Sequence, residues 1–217
     1  MSTTEFPPQP YHTQSPSRSL KIAPKHWMSN TIQVTDAQDK DTILYTAKPS
    51  FLVSDLTIRK LPSAPLHGMN TDDSGAILAD AEFHSFRRKI DISIHNHTIT
   101  LPLKAKLNTE TTFALPSLRN TQVTWRHDHH LSSSELLCLD EKNMCLAKIT
   151  TPSWTLKHES QLDLFEGNVV SNRGFGGGDG SFVVDEIIAT GLALLHDINR
   201  RRHNTAAVAW GAGGGGA

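Results

Sequence analysis

The chain has 217 residues, 37% of them hydrophobic, and its 21 basic and 22 acidic side chains leave a net charge of −1. This length is compatible with a single β-rich domain, and the apolar residues suffice for one hydrophobic core rather than two. Nucleic-acid-binding proteins usually carry a basic excess or a basic stripe, so the balanced charge argues against a nucleic-acid partner.

Both ends of the chain have compositions that disfavour folding. Residues 1–28 are rich in Pro, Ser, Thr and Gln, which predicts a disordered tail. Within it, the segment from Pro7 to Pro10 is a candidate polyproline ligand for a protein partner. Residues 211–217 are almost pure glycine, which predicts a second flexible tail.

The sequence also bears on cellular location. The N-terminus lacks the basic start and apolar run of a secretory signal. No stretch approaches the roughly 18 apolar residues that a membrane-spanning helix needs. We therefore expect no transmembrane segment and a cytoplasmic protein, with the nucleus or the membrane periphery as alternative locations.

Residues 29–210 are predicted to form the folded domain, and their dominant pattern has a period of two. Ile90, Ile92 and Ile94 alternate with polar residues, as expected of a strand with one buried face. Similar short segments, separated by turn residues, predict about twelve strands in a closed or nearly closed antiparallel barrel. The predicted strands are Thr31–Thr35, Thr42–Lys48, Phe51–Lys60, Ile77–His84, Ile90–Ile94, Thr98–Leu103, Thr111–Leu115, Gln122–His127, Glu135–Asp140, Met144–Thr150, Ser153–His158 and Leu162–Val170. Pro102 marks its strand as an edge or an end.

The chain contains two cysteines, Cys138 and Cys145, on the two arms of a predicted hairpin. The hairpin places the thiols nearly opposite each other, so one hypothesis is a redox-sensitive cross-strand pair. In a reducing compartment the simpler interpretation is two reduced, small apolar side chains.

A single long helix is predicted at about residues 182–202. Between Ile187 and Leu195 its helical wheel is apolar or small on every side, and polar residues occur at the two tips. A surface helix would keep a charged face throughout, so we expect this helix to thread the barrel. Asp179 or Ser181 is a candidate N-cap, and Arg200–Arg202 are expected in the last turn, where positive charge suits the helix dipole.

The order of these elements resembles the tubby-like superfamily, which includes the tubby C-terminal domain, the plant LURP-one-related proteins and the phospholipid scramblases. The chain looks most similar to small fungal members. The resemblance spans Thr31 to Trp210 and is carried by strand Phe51–Lys60, the turn Asp73-Ser74-Gly75, the segment Ala76–Phe86, strand Lys89–Ile92, the strands holding Trp125 and Trp154, and the terminal helix.

This resemblance implies a barrel around a helix and a role without catalysis. Tubby domains bind phosphoinositide head groups through a basic surface site, and scramblases act at membranes. The present chain has no long Lys/Arg-rich segment that matches the tubby lipid pocket, so that role does not transfer residue by residue.

Two clusters of adjacent cations are candidates for binding an anionic phospholipid head group. They are Arg87, Arg88 and Lys89 in the first cluster, and Arg200, Arg201 and Arg202 in the second. The alternatives are a solvated strand edge for the first cluster and charge complementing the helix dipole for the second.

The remaining candidates for chemistry are weaker. His127 and His129 share a strand face and are candidate metal ligands, with Asp128 between them, but no cysteine pair or HExxH motif supports them. The glycines at 174–180 precede a helix but lack the Gly-Lys-Ser/Thr ending of a phosphate-binding loop. No nucleophile elbow occurs either. We therefore predict no enzyme, no cofactor and no metal.

The resulting hypothesis is a non-catalytic intracellular binding or scaffold module that docks reversibly on anionic membrane phospholipid. The alternative is a protein-interaction adaptor that recruits partners through the barrel surface or the Pro-rich tail. A metal-dependent enzyme built on His127, Asp128 and His129 is the third and weakest hypothesis.

Overall fold

The computed structural model describes residues 15–26, 29–39, 41–50, 55–62, 75–104, 110–128, 134–152, 158–168 and 180–211. Within the last range, side chains are described for residues 181–202.

Twelve strands form one antiparallel sheet, and one long helix packs against its inner face. The strands are β1 (Arg18–Pro24), β2 (Ile32–Asp36), β3 (Ile43–Pro49), β4 (Asp55–Lys60), β5 (Ala76–His84), β6 (Lys89–Ile94), β7 (His97–Pro102), β8 (Thr111–Leu115), β9 (Thr121–Asp128), β10 (Ser134–Asp140), β11 (Cys145–Thr151) and β12 (Ser160–Leu164), and the helix is α1 (Gly180–Gly211). A 3₁₀ turn, Pro116–Leu118, joins β8 to β9.

The sheet curls into a nearly closed barrel. Its order is β7-β6-β5-β4-β3-β2-β1-β12-β11-β10-β9-β8. Strands that are consecutive in sequence are therefore paired, except β7 and β8, and β1 joins the two halves by pairing with β12. The two edge strands, β7 and β8, meet where the Thr111 hydroxyl donates a hydrogen bond to the Pro102 carbonyl over 2.7 Å. Pro102 therefore ends an edge strand, as predicted, and the predicted antiparallel barrel is confirmed.

Helix α1 lies within the core that the barrel walls create. The residues from Ile187 to Leu195 are all buried, and the apolar ones among them belong to the same cluster as the inward-facing residues of the strands. Trp125 of β9 is fully buried, and its indole N–H donates to the Thr190 hydroxyl over 3.1 Å. A Cβ on Gly191 would come within 3.2 Å of the Trp125 ring, so the glycine lets strand and helix approach closely. The predicted buried helix is confirmed.

The prediction that residues 1–28 form a disordered tail is wrong for residues 18–24, which form β1. Leu20 and Ile22 are fully buried there, while Ser19 and Lys21 are only partly covered. This alternation is short and lies in a Pro- and Ser-rich context, so composition concealed it. Residues 1–14 lie outside the described residues, as do 212–217 of the predicted C-terminal tail.

The predicted bounds of two elements also change. The helix extends from Gly180 to Gly211 rather than over 182–202, so Arg200–Arg202 are not in its last turn. The last strand is Ser160–Leu164 instead of Leu162–Val170. Other predicted features lie outside the described residues. They include residues 51–54 and 153–157 of two predicted strands, residues 174–179 of the glycine loop, and the candidate N-cap Asp179.

The two cysteines do not face each other, so the hypothesis of a cross-strand pair is wrong. A β-bulge between Cys138 and Leu139 shifts the register, and Cys138 lies opposite Ala147 while Cys145 lies opposite Leu139. Cys138 packs in the barrel core, whereas Cys145 belongs to a separate small cluster with Leu137, Leu139 and Phe165. Both thiols are free and buried, which agrees with the simpler interpretation.

Candidate functional site

The two ends of the barrel differ in the residues that contact the buried carboxylates of helix α1. Its first turns carry Asp185 and Glu186, both buried, and a later turn carries the buried Asp197. A buried carboxylate is costly unless it is paired or hydrogen-bonded, so the partners of these residues show how each end is used.

At the start of the helix, Asp185 is held by two strands. The Tyr45 hydroxyl donates to Oδ1 over 2.8 Å, and the Lys60 ammonium reaches Oδ2 over 2.8 Å. Burial, together with the neighbouring Asp185 charge, raises the pKa of Tyr45 well above its ordinary value, so the phenol stays protonated as a donor. These contacts fasten the helix to β3 and β4.

The adjacent Glu186 fastens the helix to the opposite side of the barrel. His97 Nε2 lies 2.7 Å from its Oε1, and the Ser117 hydroxyl donates to the same oxygen over 2.7 Å. The imidazole and the hydroxyl contact the same carboxylate oxygen, so Glu186 fastens the helix to β7 and to the 3₁₀ turn. We interpret this end of the barrel as structural.

At the other end of the barrel, Asp197 is bound by two of the predicted lipid-binding residues. Arg201 Nε lies 2.7 Å from Oδ2, and Arg200 Nη2 lies 3.3 Å from Oδ1. The Arg200 guanidinium also stacks over the ring of Phe83, 5.1 Å from its centroid. Arg200 and Arg201 are therefore partly neutralised, and Arg202 is exposed on the next position of the helix.

The turn between β5 and β6 lies at this same end. It consists of Ser85, Phe86, Arg87 and Arg88, all four exposed. Arg87 and Arg88 make no ion pair with any residue that the structure describes. Lys89, the third residue of the predicted cluster, instead pairs with Asp91 on its own strand.

Main-chain contacts connect the two arginine clusters. The Leu103 amide donates to the Arg88 carbonyl over 2.7 Å, and the Arg201 guanidinium donates to the carbonyl of the adjacent Lys104 over 3.2 Å. The two clusters, far apart in sequence, are thus joined through two consecutive residues. We call the group of Arg87, Arg88, Lys104 and Arg200–Arg202 the basic end of the barrel.

A groove opens beside the turn. Its volume is about 500 Å³, and it is lined by Phe83, His84, Ser85, Phe86 and Arg87. The Phe83 ring at its base is packed between the Arg200 guanidinium and the His196 ring, whose centroid lies 5.3 Å away. Burial and the nearby Arg200 lower the pKa of His196, so this imidazole is neutral at pH 7. A lining that combines two phenylalanines with the Arg87 cation suits an amphipathic anionic ligand.

An acidic row borders the basic end on the outer face of the sheet. Asp55, Glu82 and Asp91 lie directly opposite one another across β4, β5 and β6. Although its partial burial acts in the other direction, hydrogen bonds from Lys89 and Thr100 lower the pKa of Asp91. The carboxylates on this wall of the barrel repel an anionic surface. Such a surface would therefore approach the end of the barrel that carries the turn, and not the outer wall.

Most of the candidate metal site lies outside the described residues. His129 lies outside the described residues, as does the side chain of Asp128. Among the residues that the structure describes, no three His, Cys, Asp or Glu side chains form a cluster suited to a metal ion.

Several residues at the basic end were not predicted from the sequence. Phe86 and His84 line the groove, Lys104 joins the clusters, and Asp197 neutralises two arginines. In the sequence, the arginines after Phe86 are the feature that draws attention to this turn. No sequence pattern indicates that Asp197 is buried.

Comparison with models of protein families, with curated proteins and with solved structures finds no match. No helix in the described part of the chain combines the length and hydropathy needed to cross a bilayer.

Proposed function

We propose that the chain is a non-catalytic binding module that docks reversibly on anionic membrane phospholipid through the basic end of the barrel. The observation that carries the proposal is the exposed pair Arg87 and Arg88, which have no ion-pair partner among the described residues. Arg87 also lines a groove of about 500 Å³. The guanidinium group binds phosphate oxygens in a bidentate manner, so this pair suits a phospholipid head group.

The charges favour a weak and reversible interaction. Each Lys or Arg near an anionic bilayer contributes about 1 kcal/mol, and the effect falls off within a Debye length. Arg87 and Arg88 are fully available, whereas Arg200 and Arg201 are already bound to Asp197. The electrostatic attraction is therefore of the order of 2–3 kcal/mol, and it should decrease as salt rises.

The architecture is consistent with this proposal. A barrel enclosing a C-terminal helix is what the resemblance to the tubby-like superfamily implies, and tubby domains bind phosphoinositides. That resemblance remains a prediction, and the proposal does not depend on it because it is argued from the residues of the basic end.

The test is co-sedimentation of the full chain with vesicles. Phosphatidylcholine vesicles are compared with vesicles that also contain phosphatidylserine or a phosphoinositide, at low and at physiological salt. We expect sedimentation only with the anionic vesicles, and more of it at low salt. Equal sedimentation with neutral vesicles, or none with any vesicle, would overturn the proposal. The adaptor hypothesis would then be tested by pull-down with and without residues 1–14, a truncation that keeps β1.

A further inference from the structure

Phe86 is the most exposed large apolar side chain among the residues that the structure describes. Its relative exposure is 103%, compared with 58% for Ile77, 46% for Phe182 and 37% for Met144. The fold does not bury this benzyl group, so its full apolar surface is available to leave water when the protein meets an apolar layer.

The fold holds Phe86 in place rather than leaving it on a long loop. The strand ladder continues to His84 and Lys89, so only four residues form the turn. Arg88 has a left-handed backbone, with φ of 48°, and its carbonyl accepts the Leu103 amide over 2.7 Å. The Phe86 ring therefore projects from a fixed hairpin end.

The charges around Phe86 identify its partner. Arg87 and Arg88 are exposed beside it, the turn contains no carboxylate, and Arg200 stacks behind it on Phe83. An apolar tip surrounded by cations matches the boundary of an anionic bilayer, where acyl chains lie just below phosphates. Long arginine side chains can keep their charged groups at the phosphates while an aromatic ring enters the apolar layer.

We propose that Phe86 inserts into the boundary between head groups and acyl chains, so that the ligand is the bilayer surface and not a free head group. This inference rests on the proposed function and deepens it. A free inositol phosphate offers nothing to the Phe86 ring, whereas a bilayer adds hydrophobic burial to electrostatic attraction. Two such signals together retain a protein on a membrane better than either one alone.

The first test changes Phe86 to Ala. Phe86 is fully exposed, so we expect the variant to unfold at the same temperature as the wild type. Its binding to phosphatidylserine vesicles at physiological salt should weaken about tenfold, as expected for removing a buried aromatic group. Its affinity for soluble inositol trisphosphate should be unchanged. Vesicle binding equal to that of the wild type would overturn the inference.

The second test locates the side chain directly. Phe86→Cys is labelled with an environment-sensitive fluorophore, which is selective because both native thiols are buried. The matched control is Phe182→Cys, because Phe182 lies near the start of the helix, about 27 Å along its axis from Arg200, which packs beside the β5–β6 turn. With anionic vesicles we expect the emission of the label at position 86 to shift to the blue. Lipids that carry a nitroxide on the acyl chain should quench the fluorescence of this label. We expect neither effect at position 182.

The outcomes separate this inference from the proposed function. If the wild type sediments with anionic vesicles but the label at position 86 stays in water, docking stands and insertion is wrong. If the wild type does not bind anionic vesicles, both proposals are wrong.

Discussion

The hydrogen bond between Trp125 and Thr190 gives the sharpest prediction about the fold. Both residues have 0% exposure, and the indole N–H has the Thr190 hydroxyl as its acceptor at 3.1 Å. Replacing Thr190 with Val keeps the shape of the side chain and leaves the helix propensity nearly unchanged, but it removes the acceptor. A buried donor left without a partner costs about 1–3 kcal/mol.

We therefore expect Thr190→Val to lower the free energy of unfolding by about 1–3 kcal/mol. For a domain of this size, the melting temperature should fall by roughly 2–10 °C. The assay is urea unfolding followed by circular dichroism, with Thr98→Val as the matched control. Thr98 is exposed on β7, so its substitution should change stability by less than about 0.5 kcal/mol.

A double-mutant cycle isolates the interaction from changes in packing. Trp125→Phe removes the donor and also leaves a cavity, and the combination with Thr190→Val removes both partners. We expect the two substitutions together to cost less than the sum of their separate effects, by about 1 kcal/mol. Strict additivity within about 0.3 kcal/mol would refute the argument that this bond joins the helix to the barrel wall.

Three further predictions concern ionisable groups. Burial and the carboxylates on the neighbouring strand raise the pKa of Asp55, so its charge destabilises the fold at pH 7; Asp55→Asn should stabilise the protein in urea unfolding by some tenths of a kcal/mol, and the gain should vanish below about pH 4. Burial and Arg200 lower the pKa of His196, so the unfolded chain takes up a proton at a higher pH than the folded one. The free energy of unfolding should therefore fall as the pH decreases below about 6.5. The variant His196→Leu should show a weaker fall, and a pH profile identical to that of the wild type would contradict this. Burial raises the pKa of Cys145 to about 12 and that of Cys138 well above its ordinary value, so a thiol reagent such as DTNB should react with neither until urea unfolds the chain.

Much of the fold could be predicted because its signals are local. A few residues reveal the buried face of one strand, where Ile90, Ile92 and Ile94 alternate with polar residues. In the same way, the apolar stretch from Ile187 to Leu195 reveals the buried helix. The first strand was missed because only Leu20 and Ile22 face the core, and their polar neighbours resemble those of the preceding segment.

Register could not be predicted in the same way. The bulge at Cys138 moves Cys145 to the other face of the sheet, and a one-residue shift of this kind reverses the side-chain direction. Nothing in the hairpin sequence requires the bulge, so the thiols looked opposite when alternation was counted along the chain.

The basic end was only partly predictable because it is assembled by long-range contacts. Both arginine clusters are visible as charge runs, but their joining through the Leu103–Lys104 segment depends on the barrel topology. The pairing of Asp197 with two arginines is likewise a tertiary contact, since it depends on how the helix enters the core. Runs of charged residues in the sequence thus indicate candidate binding sites. Only the folded structure shows which of these charges are already paired within the protein.

The central claim is that the β5–β6 turn is the surface that docks on anionic membrane. The most direct measurement is the vesicle affinity of the double variant Arg87→Gln/Arg88→Gln. Its control is Arg119→Gln/Lys142→Gln, which removes the same charge from two exposed residues at the opposite end, where Ser117 contacts the start of the helix.

We predict that the Arg87/Arg88 variant binds phosphatidylserine vesicles roughly thirtyfold more weakly than the wild type, as expected for losing about 2 kcal/mol of electrostatic attraction. The control should stay within about threefold of the wild type. Equal losses in the two variants, or no loss in the first, would contradict the account.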